Sequence, residues 1–367
     1  MADKKADNKR IGSLDGLKAI MMLMIFCWHT PYNPDSPIGT PSADLGARAC
    51  EVLFVVSGFL IGCRHYYRPI PAGLRQTWDY ASGKIAKVWP VHFIAFLVIL
   101  AYLAASDPQD LLTASAAWKA VVNLCLLQAW SSDPFSFNSV AWFVSALMFC
   151  WFMSPLLMSV LRRPGRVIAA AFAGCGVLRI AVELACGAGI VPFPIDFHVS
   201  PVIRCMEFFM GMLMVPAYIA LKKAAENRDS GSGRDHPRMM TAGMTAAELI
   251  VSACYVFLMY RMEGIWIRGY FVLAACGLVF TFALNRGALS RVLSMKIFAM
   301  FAVIQMEFYL FHQVIIRALG PELTAVSSSV FMQSVMLFFI TVAASASYDR
   351  LLREKCTAAM ESVLRRR

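Results

Sequence analysis

The chain has 367 residues, 59% of them hydrophobic and only 16% charged, with a net charge of +11. Soluble domains run near half apolar and a quarter charged, and a soluble fold of this length would leave apolar surface that aggregates, so composition excludes an ordinary water-soluble globule. The 11 cysteines are scattered, mostly in apolar runs (Cys27, Cys125, Cys150, Cys175, Cys254) and without CxxC or Cys/His zinc spacing, so they read as small buried hydrophobes and no metal is expected.

Residues 1–10, MADKKADNKR, form a charged segment with no cleavage site after a short apolar core, which we expect to be a cytoplasmic tail leading into a retained helix. A helix needs about 20 mostly apolar residues to cross the hydrocarbon core. Windows of that kind lie near 11–29, 47–63, 87–105, 140–161, 167–187, 200–220, 242–260, 269–285, 297–318 and 329–347. The expected fold class is therefore an all-α integral membrane protein of about ten transmembrane helices, its membrane domain covering 11–347. The stretch Ala117–Trp130 is apolar but short and holds Asn123 and Gln128, so it reads as interfacial or re-entrant.

The first span, LDGLKAIMMLMIFCWHT, carries Lys18 and His29 at either end of an apolar run. Eleven positions at 100° each bring both to one helix face, about 16.5 Å apart along the axis. Two readings are open for the pair. One is a lysine snorkelling to headgroups and an interfacial histidine. The other is a site that grips an anionic ligand at one end and moves a proton at the other, for which imidazole is suited near neutral pH. In the second span Glu51 lies level with His29, either orienting its ring or pairing with Arg48 three residues earlier. Ser57-Gly58, in mid-span, reads as a close helix contact. Farther on, Arg179 with Glu183 and Arg204 with Glu207 have the spacing of intrahelical ion pairs.

Residues 222–240 read as a polar, flexible loop. The ninth span carries Gln305, Tyr309 and His312 as one polar stripe, which belongs against other helices and not against lipid. Residues 348–367 place apolar residues at helical spacing among basic ones, the pattern of an amphipathic helix on the inner leaflet. With both termini inside, all but eight of the 34 Lys and Arg fall on the cytoplasmic side. The eight are Lys18, Arg48, Lys119, Arg179, Arg204, Arg261, Arg268 and Arg317. This bias is the positive-inside pattern, so the excess charge reports orientation and no nucleic-acid partner is expected.

Several of these segments together resemble the acyltransferase 3 family of integral-membrane acyltransferases. Lys18 and His29 fall on that family's basic residue and histidine in the first helix, with lysine where arginine is usual. EVLFVVSGFLIG resembles its second-helix signature around Ser57-Gly58-Phe59. YASGKIAKVWP resembles its basic-x-x-basic stretch, here Lys84 and Lys87 in place of arginines. AWFVSALMFCWFMSP resembles the tryptophan-containing fourth helix, without the glutamate many members have there. EFFMGMLM and FYLFHQVII resemble the late helices, with His312 on a recurrent histidine. The resemblance covers residues 11–347 and rests on the order and spacing of the motifs, since each alone is weak.

It implies an enzyme in the cell (inner) membrane that takes an acyl group, acetyl first among candidates, from cytoplasmic acyl-CoA to a hydroxyl of a sugar, cell-surface polysaccharide or lipid-linked glycan. Acyl-CoA is then a co-substrate, with no permanently bound cofactor. Lys18, Lys84 and Lys87 would hold the CoA phosphates. His29 would deprotonate the acceptor and Glu51 orient its imidazole, with His312 or Tyr309 positioning the acceptor or polarising the carbonyl. Gln305 belongs to the same substrate-facing stripe, and Trp142 would stack on a sugar or sit in the interfacial belt. A covalent intermediate on Ser57 lacks a nearby activating base in the sequence. A transporter or flippase would account equally for spans and charge bias, but no repeat of broken helices in two matching halves is present.

Overall fold

The computed structural model describes residues 10–30, 45–191, 196–231, 236–261 and 269–364, and all regular structure among them is helical. Helix α1 (Gly12–His29) buries Leu14, Leu17, Met21, Met22, Ile25 and Phe26, a stripe at three- and four-residue spacing. Helix α2 (Leu45–His65) is buried on almost every side. Helix α3 (Leu74–Ser106) is the longest at 33 residues, starting 13 residues before the expected span. A single turn, α4 (Pro108–Leu111), leads to α5 (Ala114–Leu124), whose start is capped by the Thr113 hydroxyl accepting from the Ala116 N–H.

At 11 residues α5 is about 16 Å long, too short to span. Its last carbonyls, which have no partner within the helix, are taken by α3: Trp89 Nε1 donates to Leu124 O at 2.8 Å and His92 Nε2 to Asn123 O at 2.9 Å. Next come α6 (Trp142–Met158), which tightens into a turn ending at Arg162, then α7 (Gly165–Gly187), α8 (Pro201–Leu213) and α9 (Val215–Gly231). The remaining helices are α10 (His236–Arg261), α11 (Tyr270–Ala283), α12 (Ala288–Leu293), α13 (Lys296–Phe301), α14 (Gln305–Val326), α15 (Val330–Leu351) and α16 (Arg353–Leu364).

Three elements differ from the sequence reading. The loop expected over 222–240 is helical up to Gly231 and again from His236, because its Ala, Lys and Glu residues are strong helix formers; residues 232–235 lie outside the described residues. The expected 297–318 span divides into α13 and α14, and the polar stripe opens α14 instead of lying in its middle. The tail helix α16 packs against α3 and is fastened at its first residue, where Arg353 pairs with Glu307 at 2.7 Å and Asp349 at 2.6 Å. Leu351, Leu352 and Val363 remain exposed on it and its approach. Arg261, Arg268 and the terminal 365–367 lie outside the described side chains.

Among the described residues, seven stretches are long and apolar enough to cross a membrane: α2, α3, α6 through Arg162, α7, α8 through Asn227, Thr241–Met259 in α10, and α15. Helix α11 is apolar but has 14 residues. Helices α1 and α14 are long, but Asp15, Lys18 and His29 in one and Glu307, His312, Arg317 and Glu322 in the other lower their apolar content.

The tightest seam joins α2 to α8. A Cβ on Gly58 would lie 1.8 Å from Phe208 O, and one on Gly211 would lie 2.1 Å from Val55 O. Glycine at both positions lets the backbones touch, the usual means of holding helices together where lipid removes the hydrophobic drive. Elsewhere the buried Glu248 of α10 accepts the N–H groups of Gly287 (3.0 Å), Leu289 (3.0 Å) and Ser290 (3.2 Å), capping α12 and pinning it beside α1.

Candidate active site

Two cavities flank one face of α1. The first, about 690 Å³, is lined by Lys18 and Met22 of α1, Lys87 of α3, Gln305 and Tyr309 of α14, and Arg353 of α16. The second, about 360 Å³, is lined by Ile25 and His29 of α1, with Trp28, Trp142, His198 and again Tyr309. Lys18, Met22, Ile25 and His29 follow at four, three and four residues, so a single stripe passes from the basic cavity to the histidine cavity, as the spacing predicts. Tyr309 is the wall the cavities share. Its buried hydroxyl donates to Val140 O at 2.9 Å, which fixes the ring between them.

The protonation of both imidazoles follows from their partners, since a carbonyl oxygen only accepts. His29 Nδ1 donates to Ile25 O at 2.8 Å, one turn back on α1. In the neutral ring its Nε2 therefore carries the lone pair. His312 Nδ1 donates to Tyr309 O at 2.6 Å, so its Nε2 is also an acceptor, and it lies 3.4 Å from His29 Nδ1. The His29 N–H is thus shared between a carbonyl and a second imidazole. His29 has the form of a general base, with one nitrogen anchored and the other basic.

Glu51 does not touch His29. Its carboxylate is 2.5 Å from the Arg48 guanidinium and 3.9 Å from that of Arg204, which makes two bonds to Glu207 at 2.7 and 2.8 Å. The orienting contact read for Glu51 is supplied instead by Ile25 and His312, and Glu51 joins two intrahelical pairs into one buried cluster across the α2–α8 seam. Arg204 also grips His198, donating from Nε to its backbone oxygen at 2.8 Å and from a terminal nitrogen to its ring Nδ1 at 3.4 Å. The His198 ring lies 4.4 Å from that of Trp142.

Of the three lysines expected together, Lys18 and Lys87 line the basic cavity. Lys18 is paired with Asp15 at 3.0 Å. Lys84 is turned about 60° away along α3 and sits 5.6 Å from the centre of the Tyr80 ring. Gln305 borders the basic cavity with its Nε2 unbonded to protein, while Trp142 lines the histidine cavity. Sequence reasoning missed two contributors, Arg353 and His198. Arg353 was one more basic residue in a basic tail, and His198 stood alone in a connection between spans with nothing to mark it.

Helices of this length and apolarity, enclosing an anchored imidazole beside a lysine-lined cavity, define a multi-pass membrane protein with the parts of an acid–base enzyme. The chain belongs to the acyltransferase 3 family, whose acyltransferase domain matches residues 11–350. It is similar to the acyltransferase MdmB of Streptomyces mycarofaciens, with 24% identity over 230 residues, 56% of this chain. The match spans 57% of that relative's length. No solved structure matches.

Proposed function

We propose that this protein is a ten-span O-acyltransferase of the cell (inner) membrane with both termini cytoplasmic. Its donor is cytoplasmic acyl-CoA, acetyl-CoA first among candidates, and its acceptor a hydroxyl of a sugar, cell-surface polysaccharide or lipid-linked glycan. The observation that carries the reading is His29: its proton is held on Nδ1, its lone pair is on Nε2, and it stands on the same helical stripe as Lys18.

In this reading the basic cavity opens to the cytoplasm. Lys18, Lys87 and Arg353 take the phosphates, with Lys84 at the approach and Gln305 beside the pantetheine arm. The arm runs along the α1 stripe and brings the thioester to Tyr309. Trp142 supplies a flat face for a sugar ring. His29 Nε2 takes the acceptor's proton as the hydroxyl oxygen attacks the thioester carbon, and His312 steadies the imidazolium that forms by accepting from its Nδ1–H. The C–S bond then breaks, the CoA sulfur leaves and recovers the proton, and the acyl group remains on the acceptor oxygen. Glu51 acts at one remove, through Arg204.

The test is reconstituted protein with labelled acetyl-CoA, comparing wild type with His29→Ala. General-base removal costs about 10²–10⁴-fold, so the variant should bind acetyl-CoA normally while CoA release falls by at least a hundredfold. Failure to bind acetyl-, succinyl- or longer acyl-CoA would sink the acyltransferase reading in favour of transport.

A further inference from the structure

Between the lysines and the imidazoles, the wall of the basic cavity carries two hydrogen-bond donors, Ser57 of α2 and Gln305 of α14, among Met22, Leu53 and Phe143. Neither donor is used within the protein. The Gln305 amide nitrogen is buried without a partner, on a side chain 9% exposed. Among the described residues the Ser57 hydroxyl meets no partner either. A mid-helix hydroxyl commonly turns back to the carbonyl one turn earlier, as Ser154 does to Cys150, Thr341 to Leu337 and Ser345 to Thr341, each at 2.7 Å. Ser57 makes no such bond to Leu53. Tyr309, the next hydroxyl on this wall, is committed to Val140 O.

The two donors lie at one depth. Ser57 is seven residues from Cys50, which lines the histidine cavity, and Gln305 is seven from His312, whose ring meets that of His29. Met22, on the same wall, is seven from His29. Seven residues rise about 10.5 Å, so three helices put this level two turns from the imidazoles. Lys18 lies deeper, about 16.5 Å from His29 along α1. Both depths match the pantetheine arm of CoA, which carries two amides between its sulfur and its phosphates. An extended chain advances about 1.2 Å per bond, so the first phosphorus, thirteen bonds from the sulfur, reaches about 16 Å. The carbonyl carbon of the farther amide, eight bonds from the sulfur, reaches about 10 Å.

We infer that Ser57 and Gln305 form the subsite for that farther amide, both donating to its carbonyl oxygen, so that the protein selects its donor by the arm as well as by the phosphates. The inference rests on the acyl-transfer reading above. A carbonyl oxygen has two lone pairs and takes both donors. The terminal amide of Gln305 turns at little cost, and the ligand sets its direction. A chain lacking this oxygen leaves the donors unpaired in an apolar wall, which discriminates more strongly than the fit of a methylene does. Held there, the arm also fixes the height at which the thioester stands beside His29.

The experiment is equilibrium binding of labelled CoA to the reconstituted full-length protein. Displacement is measured with unlabelled CoA and with a CoA analogue whose farther amide is replaced by a two-carbon link. The proteins are wild type, Ser57→Ala, Gln305→Met and the double variant. A buried donor left without its acceptor costs about five- to a hundredfold in affinity, and wild type should prefer CoA to the analogue by that factor. Each single variant should weaken CoA at least fivefold and the analogue less than twofold, and the preference should fall below threefold in the double variant. A structural role for either side chain would weaken both ligands alike and overturn the assignment. A preference that survives in the double variant would overturn it too. So would equal binding of the two ligands by wild type, a comparison that needs no variant and stands if one fails to fold. Each of these outcomes spares the acyl-CoA reading, whereas a wild type that binds no CoA would overturn both.

Discussion

A proton shared between His29 and His312 makes the second imidazole matter most when the first becomes charged. Hydrogen bonds to charged groups contribute about 1.5–3 kcal/mol, roughly ten- to a hundredfold in rate. His312→Phe, which keeps a ring beside Phe308, should lower kcat by that amount and less than His29→Ala does; single-turnover CoA release measures it. The residues legible in the sequence at this scale are those whose cost is local. Lys18 and His29 interrupt an apolar run, and their spacing along a helix follows from 100° per residue. Arg204 and Glu207 read as a closed pair because three residues separate them. The bond from Arg204 to His198 depends on where the connection before α8 falls, which no periodicity encodes.

Among the helices, the α2–α8 crossing is the one whose geometry leaves least room. Gly58→Ala would put a methyl against the Phe208 carbonyl, and backbone cannot yield as a side chain can. We expect a loss of about 1–3 kcal/mol, read as lower thermal stability in detergent, together with lost activity because the seam aligns Glu51 with Arg204. Gly174, exposed on α7, has nothing within 4 Å of its added Cβ. Gly174→Ala should instead raise stability by up to about 1 kcal/mol, the helix-propensity difference. Helix existence was legible wherever apolar runs are long, because lipid permits little else, but not over the polar 222–231, which extends α9. Boundaries were less so where polarity rises: the stripe of Gln305, Tyr309 and His312 reads as mid-span by composition but opens α14, since the preceding Lys296–Phe301 forms its own short helix.

For the molecule as a whole, α16 is part of the site's enclosure. Arg353 enters the basic cavity from the last helix, and its bonds to Glu307 and Asp349 tie that helix to α14 and α15. Arg353→Ala should raise the KM for acetyl-CoA severalfold with kcat within a factor of two, and truncation after Leu352 should do the same. Initial-rate kinetics at varied donor concentration test both. The amphipathic pattern of the tail was legible, but its partner was not: an apolar stripe among basic residues suits a leaflet or a helix equally, and the choice rests on one buried glutamate far upstream in the chain.

The pairing of charges within helices also bears on how the chain enters the bilayer. A lone arginine or glutamate at the centre of a span costs about 2.5–3.5 kcal/mol on insertion. Arg48 carries Glu51 three residues on, Arg204 carries Glu207, and Arg179 is bonded to Glu183 one turn later. Each segment can leave the aqueous phase already neutralised, before the others have been synthesised. The salt link across the seam, Glu51 to Arg204, forms after both helices are in place. The charges that come together around His198 are thus delivered in balanced pairs, and neither α2 nor α8 must await its counterion from another helix.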